Sequence, residues 1–256
     1  MKRVLTAAVG IPLLLALIFW ASNRQLRWAL AFVALLCLSE FLKLAEHYRV
    51  QPMRLAAYLS GAWVVAGEPA PGAVFLLGVT LLLLTLAMRG GRELSGSLTS
   101  VAATLLGIVY AAAPFRLAGD LHADSPHWLC YTLLLNWIGD AAAYYVGRLW
   151  GTHALSPRIS PGKTWEGAAG SFVAAVAAGA LYLRRFLPHG PRLVFAFAIS
   201  ALVNLTAQVG DLAESALKRG AGVKDSGTLL PGHGGVLDRL DGVLFSIPVV
   251  YLTRGR

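Results

Sequence analysis

Charge is what this sequence has least of. Only 14% of its 256 residues are Asp, Glu, Lys or Arg, against about 25% in an average soluble domain. A soluble globule of this size cannot clothe its surface with so few charges, which argues against a soluble enzyme. Cysteine is nearly absent: Cys37 and Cys130 both lie in apolar runs, leaving neither a disulfide scaffold nor a zinc framework. Acids are scarce beside bases, 13 against 22, for a net charge of +9. Nucleic acid would suit that sign. The basic residues, however, sit in loops between apolar runs, as the cytoplasmic loops of a membrane protein do, and no nucleic-acid partner is expected. Hydrophobic residues are abundant, at 57%, with a mean hydropathy of +0.63. Such a chain reads as a polytopic membrane protein.

Nine apolar runs can be traced, at about 4–21, 28–45, 55–67, 73–88, 98–115, 128–150, 167–183, 193–213 and 236–252. The first follows Met1-Lys2-Arg3, a start that also fits a signal peptide; the later runs favour a retained helix. At about 1.5 Å per residue it nearly crosses a ~30 Å hydrocarbon core. The third is short and runs into Gly67, Pro69 and Pro71, so a re-entrant segment stays open. Trp20, Trp28, Trp128 and Trp150 stand near run ends, where amphipathic rings favour the interface. Backbone in lipid must satisfy its own hydrogen bonds, so the runs are expected to be helices. The amino end and the loops after runs two, four, six and eight, counted with the run ends that adjoin them (Lys43, Arg148 and Arg239), hold 14 of the 22 Lys and Arg residues, which assigns that side to the cytoplasm.

The carboxylates are unevenly spread. Residues 211–241 hold Asp211, Glu214, Asp225, Asp238 and Asp241, five of the 13 acids, together with Lys218, Arg219, Lys224, Arg239 and His233. A charge at bilayer depth costs on the order of 2.5–3.5 kcal/mol and usually faces a cavity, a partner or an ion. Asn204, Gln208, Asp211, Ser215 and Lys218 step by four and three, forming one polar stripe on a helix; for Asn204 and Gln208 a hydrogen-bonded helix interface is the competing reading. Asp238 and Asp241 are three apart, hence on one face if helical. Clustered carboxylates suit a hard cation such as Mg²⁺, or they cap a helix amino end. Between these groups, Pro231-Gly232-His233-Gly234-Gly235 lets backbone N–H groups approach a ligand closely ahead of a helix amino terminus. His233 reads as a phosphate contact or a polar loop residue.

A second polar set lies earlier. Asn136, Asp140 and Tyr144 share a helix face, with Asp140 either functional or paired to a base. The loop from Ser156 to Gly167 carries Arg158 and Gly162-Lys163-Thr164. A P-loop needs glycine where Pro157 stands, so that motif is rejected and a basic phosphate-contacting loop remains.

Ser215-Ala216-Leu217-Lys218-Arg219, Lys224-Asp225, Pro231 through Gly235 and Asp238-Arg239-Leu240-Asp241 together resemble the signature of the phosphatidate cytidylyltransferase (CDP-diacylglycerol synthase) family. Ser160-Pro161 with Lys163-Thr164-Trp165-Glu166-Gly167, and Asp140 through Tyr144, resemble further family stretches, and Glu40 suits its amino-terminal half. Gly162 departs from the pattern, where the family often has a second lysine. The resemblance implies an all-α polytopic bundle of about nine transmembrane helices with a polar cavity open to the cytoplasm, in the bacterial inner membrane. Runs 1–5 would occupy residues 1–115, and the catalytic runs 6–9 residues 116–256, with the signature loop at 215–241. It further implies a metal-dependent transfer of CMP from CTP to phosphatidic acid, giving CDP-diacylglycerol and pyrophosphate. Asp211 and Asp238 are then expected as ligands of Mg²⁺, with Asp241 the next candidate and room for a second cation. Lys218, Arg219, Lys224 and Arg239 would contact phosphates, and Asp225 would bind the metal or orient Lys224. Ser215, His233, Gly234 and Gly235 would hold CTP or pyrophosphate, and Asp140, Lys163, Thr164 and Glu166 would complete the cavity. Monomer and homodimer both stay open.

Three other readings compete. An ion-coupled transporter could use buried carboxylates but has no need of the glycine-rich loop or the basic cluster. A CDP-archaeol synthase or a polyprenol kinase would do related chemistry on another lipid. The CDP-alcohol phosphotransferase pattern is absent, since Asp241-Gly242 continues as Val243-Leu244-Phe245-Ser246.

Overall fold

The computed structural model describes residues 2–67, 72–89, 94–187, 192–229 and 234–254, with side chains from residue 10 onward except at 89. The helices are α1 (Lys2–Trp20), α2 (Asn23–His47), α3 (Arg54–Ala66), α4 (Gly72–Arg89), α5 (Ser97–Gly107), α6 (Ala113–Asp124), α7 (Pro126–Trp150), α8 (Trp165–Phe186), α9 (Leu193–Gly220) and α10 (Asp241–Thr253). Each of the nine apolar runs lies mainly on helix. Among the described residues four stretches are long and apolar enough to cross a membrane: Asn23–His47, Leu94–Asp124, Trp165–Phe186 and Leu193–Gly220. The 13 residues of α3 reach only about 20 Å at 1.5 Å each.

The chain divides into two compact units, one of residues 1–119 and 217–239, the other of 120–216 and 240–256. Residues 217–239 therefore group with the amino-terminal helices.

In the first unit α2 is the central element. It starts on a capping box, Ser22 Oγ accepting the Gln25 N–H and the Gln25 side chain accepting the Ser22 N–H, which satisfies two otherwise orphaned donors. Ten of its residues are buried, among them Leu38, Glu40 and Phe41. Small residues let neighbours close on that turn: a Cβ on Gly61 of α3 would lie 2.8 Å from Leu38, and one on Gly107 at the end of α5 would lie 2.9 Å from Phe41. Between α5 and α6 the chain widens into a π turn, Ile108–Ala112, closed by the Ala113 N–H on the Ile108 carbonyl. Pro114 follows; it has no N–H to donate and crowds the preceding turn, and the wider turn accommodates it. Leu55, Leu59 and Trp63 form an exposed stripe along α3, spaced as one helix face. A contiguous exposed apolar face of this kind suits hydrocarbon rather than water.

In the second unit α7 and α8 form the main pair. Their backbones approach at glycine: a Cβ on Gly167 would lie 2.8 Å from the Ala143 carbonyl, and one on Gly170 would lie 2.6 Å from Val146, the small-residue packing that membrane helices use. Polar side chains tie the other helices to this pair. Asn204 donates to Ser171 Oγ at 3.0 Å, Gln208 to the Ala168 carbonyl at 3.3 Å, and Asn136 to Ser246 Oγ at 3.2 Å. Asn204 and Gln208 are thus hydrogen-bonded interface residues.

Two local features differ from the sequence reading. The loop between α7 and α8 contains an antiparallel hairpin, β1 (Ala154–Ser156) with β2 (Ser160–Thr164), among described residues that are mostly helical. Its strands carry Ser, Pro and Gly rather than alternating apolar residues, so periodicity gave no sign of them. The last run does not start a helix at 236. A 3₁₀ turn occupies Leu237–Arg239 and α10 begins at Asp241, after Leu240 at φ −122° and ψ 0°. Asp238 and Asp241 therefore stand on different elements and do not share one helix face.

Candidate active site

Within the first unit the chain from α9 to α10 is built around two carboxylates. The last turn of α9 closes when the Val223 N–H reaches the Lys218 carbonyl and the Gly222 N–H reaches that of Arg219, each at 3.0 Å. Gly222 takes φ +73°, the left-handed conformation this helix ending requires and glycine adopts without penalty. The Arg219 guanidinium folds onto the Val223 carbonyl at 3.1 Å. Beyond the turn, Lys224 and Asp225 are exposed.

Asp238 gathers this segment. Lys218 Nζ donates to its Oδ1 at 2.6 Å, the Ser226 N–H lies 3.0 Å from Oδ2 and 3.1 Å from Oδ1, and the Gly235 N–H donates to Oδ2 at 2.7 Å. The pair is buried, with side-chain exposures of 10% for Lys218 and 7% for Asp238. Burial opposes the charge on Asp238, yet Lys218 and the two amides together hold its carboxyl below the usual carboxylate range. Gly234, at φ +81°, leaves room for this: a Cβ there would lie 2.7 Å from Asp238 Oδ2. Arg239, the next residue, is exposed. His233 lies outside the described residues.

A further carboxylate completes this loop. Glu40 of α2 is 1% exposed. Its Oε1 accepts the Val236 N–H at 3.1 Å, and its Oε2 accepts the Leu237 N–H at 2.8 Å and the Ser226 hydroxyl at 3.3 Å. Sequence reasoning gave Glu40 no role. The available signal was a lone acid inside an apolar run, which in a membrane chain marks a functional candidate.

Within the second unit Lys163, on β2, forms an ion pair with Asp211 of α9; their side chains are 28% and 37% exposed. Ser215, one turn on, contacts Asp211 Oδ1 at 3.5 Å. Thr164 caps α8 by accepting the Gly167 N–H at 3.1 Å. Glu166 accepts from Thr152 Oγ1 at 2.9 Å and lies 2.6 Å from His153 Nδ1, so both residues shape the turn that presents Lys163. Asp140 is exposed on α7. Asp241 accepts its neighbour Gly242 N–H at 2.8 Å and sits where α10 meets α9: a Cβ on Gly210 would lie 2.7 Å from the Asp241 carbonyl.

All these acids offer hard oxygen donors, the chemistry Mg²⁺ takes. Among the described residues no three His, Cys, Asp or Glu side chains are grouped as a metal cage. Mg²⁺ in phosphate chemistry commonly uses one or two carboxylates, with water and substrate oxygens completing its shell. Asp211 precedes Ser215 by one turn of α9 and is paired with Lys163, and the Asp241 backbone carbonyl lies opposite Gly210 of the same helix.

Comparison with known proteins identifies a family. The model of the cytidylyltransferase family matches residues 1–254. A phosphatidate cytidylyltransferase of Staphylococcus haemolyticus is 29% identical over 97% of this chain and 96% of its own. One of Staphylococcus saprophyticus is 34% identical over 68% of this chain and 66% of its own. One of Brucella suis is 43% identical over 57% of this chain and 54% of its own.

Proposed function

The chain belongs to the cytidylyltransferase family, and from that premise we propose that it transfers the CMP moiety of CTP to phosphatidate, giving CDP-diacylglycerol and pyrophosphate. A phosphatidate oxygen forms the new bond to the α-phosphorus of CTP as the bond from that phosphorus to the α–β bridging oxygen breaks. The nucleophile is already anionic near neutral pH, since a phosphate monoester has a second pKa of about 6, so the protein need not supply a general base. What it must supply is positioning and neutralisation of two polyanions.

The observation that carries the reading is the concentration of Lys218, Arg219, Lys224 and Arg239 around a glycine-turned loop whose backbone is fixed by buried carboxylates. Lys224 and Arg239 are exposed and are proposed to contact phosphate, and His233, Gly234 and Gly235 are proposed to hold CTP or pyrophosphate; the same role is proposed for Ser215 in the second unit. In the second unit Lys163 is proposed to contact phosphate, with Thr164 and Glu166 setting its turn and Asp140 a neighbouring polar contact. Asp211 and Asp238 are proposed to hold Mg²⁺, with Asp241 the next candidate; each of the first two takes the cation by releasing its lysine, Lys163 from Asp211 and Lys218 from Asp238. Mg²⁺ bound there supplies charge neutralisation at the α-phosphate and the leaving pyrophosphate. Nine membrane spans with the basic loops on the cytoplasmic side, where CTP is found, complete the proposal.

Purified protein is incubated with Mg²⁺, phosphatidate vesicles and CTP labelled at either the α- or the γ-phosphate. The α-label is expected in lipid and the γ-label in pyrophosphate. EDTA is expected to abolish transfer, and Asp211→Asn to lower kcat about 10²- to 10³-fold, the usual scale for losing one preorganised electrostatic contact. Label from the γ-position in lipid would make the protein a kinase and sink the reading.

A further inference from the structure

The backbone between Gly235 and Leu237 gives three successive N–H groups to two different carboxylates. That of Gly235 goes to Asp238, and those of Val236 and Leu237 go to Glu40. Ser226 is divided in the same way, its N–H on Asp238 and its hydroxyl on Glu40. Glu40 is therefore the second anchor of the turn that carries Asp238 and, through it, Lys218. The chain is wrapped tightly on this carboxylate: a Cβ on Gly227 or on Gly235 would each lie 2.5 Å from a Glu40 oxygen. Eight residues on, at the cap that ends α2, the Tyr48 hydroxyl donates to the Leu217 carbonyl at 2.6 Å, and Gly220 packs against the same ring. The helix and its cap residue thus fasten both ends of 217–239.

We propose that Glu40 is a positioning residue for cytidylyl transfer: it sets the Ser226 and Val236–Leu237 backbone so that Asp238 holds Lys218 in its working place. It touches no reacting atom. The kinetic part of this proposal rests on the activity proposed above; the structural part does not. Glutamine is the informative substitution, because it keeps size and removes one acceptor. Its single oxygen can serve one backbone amide, while its NH₂ group faces the other donor, and a buried donor left unmatched is costly.

The test is hydrogen exchange and steady-state kinetics on the full chain in detergent, comparing wild type with Glu40→Gln, Glu40→Asp and the α2 control Ser39→Ala, whose hydroxyl bonds only within its own helix. In Glu40→Gln, exchange in peptides covering Ser226 and Val236–Leu237 is expected to rise about tenfold, the equivalent of one lost buried hydrogen bond, while α7 and α8 stay protected. The same variant is expected to lose tenfold or more in kcat, as small displacements of positioned groups do. Glu40→Asp, which keeps both acceptor oxygens, is expected to recover part of both, and Ser39→Ala to match wild type. Unchanged exchange at 226 and 236–237 in Glu40→Gln overturns the proposal, whatever the activity does. A rise shared by α7 and α8 also overturns it, since that marks a residue holding up the whole fold. Should Glu40→Gln not survive purification, Glu40→Asp decides: exchange at 236–237 above wild type with α7 and α8 protected supports the proposal, and equal exchange overturns it. A wild-type protein inactive on CTP and phosphatidate overturns the proposed activity and leaves the exchange measurement to decide Glu40.

Discussion

Asp238 shows how a buried charge is kept. Its carboxylate meets an ammonium and two backbone amides, and without them burial would favour the neutral acid. Its folded-state pKa is lowered relative to an unfolded value of about 3.9. A lowered folded value means stability that is fully present above the unfolded pKa and is lost as pH falls through the folded one. The turn is therefore expected to keep its protection from neutral pH down to about pH 5, then open below the ordinary carboxylate range. Exchange of the Ser226 and Gly235 amides against pH measures this directly, and protection that falls on going from pH 8 to 6 would contradict it. At this scale the sequence showed which residues were charged and that they were crowded. It did not show that Lys218 faces Asp238, that Lys163 faces Asp211, or that Glu40 was engaged at all, because each pairing joins positions far apart along the chain.

The elements are better written in the sequence than their ends. Hydropathy is a property of consecutive residues, and each apolar run lies mainly on helix, the structure in which a backbone satisfies its own hydrogen bonds locally. Ends depend on particular hydrogen bonds. α9 runs on to Gly220 before Gly222 turns the chain, and the start of α10 is delayed by a 3₁₀ turn that the carboxylates of Glu40 and Asp238 stabilise. Contacts between elements rest on glycine. At Gly210 the group opposite is the Asp241 backbone carbonyl, with Phe245 Cβ at 2.9 Å from an added Cβ, and backbone cannot step aside as a side chain can. Gly210→Ala is expected to destabilise the protein by about 1–3 kcal/mol through overpacking and to reduce transfer together with stability. Thermal unfolding in detergent checks the first effect, and an unchanged midpoint would mean the helices yield freely.

The whole molecule is a membrane enzyme whose charge distribution predicts an orientation. In a background with Cys37 and Cys130 replaced, Arg158→Cys in the hairpin loop is expected to be shielded from an impermeant maleimide in intact spheroplasts and to label after permeabilisation. Ala123→Cys, exposed near the end of α6, is expected to label from outside. The opposite pattern would invert the proposed topology. Composition and hydropathy by themselves determined that this chain is helical, membrane-like and basic at its loops, and a dozen residues between 215 and 241 determined its family. Those are sums over neighbours, fixed before any folding. Only the tertiary structure decided that residue 40 meets Val236 across a separation of 196 positions and that 217–239 packs with the amino-terminal helices. The physical reason is that a buried carboxylate must find its donors wherever packing brings them, and no local pattern records where that is.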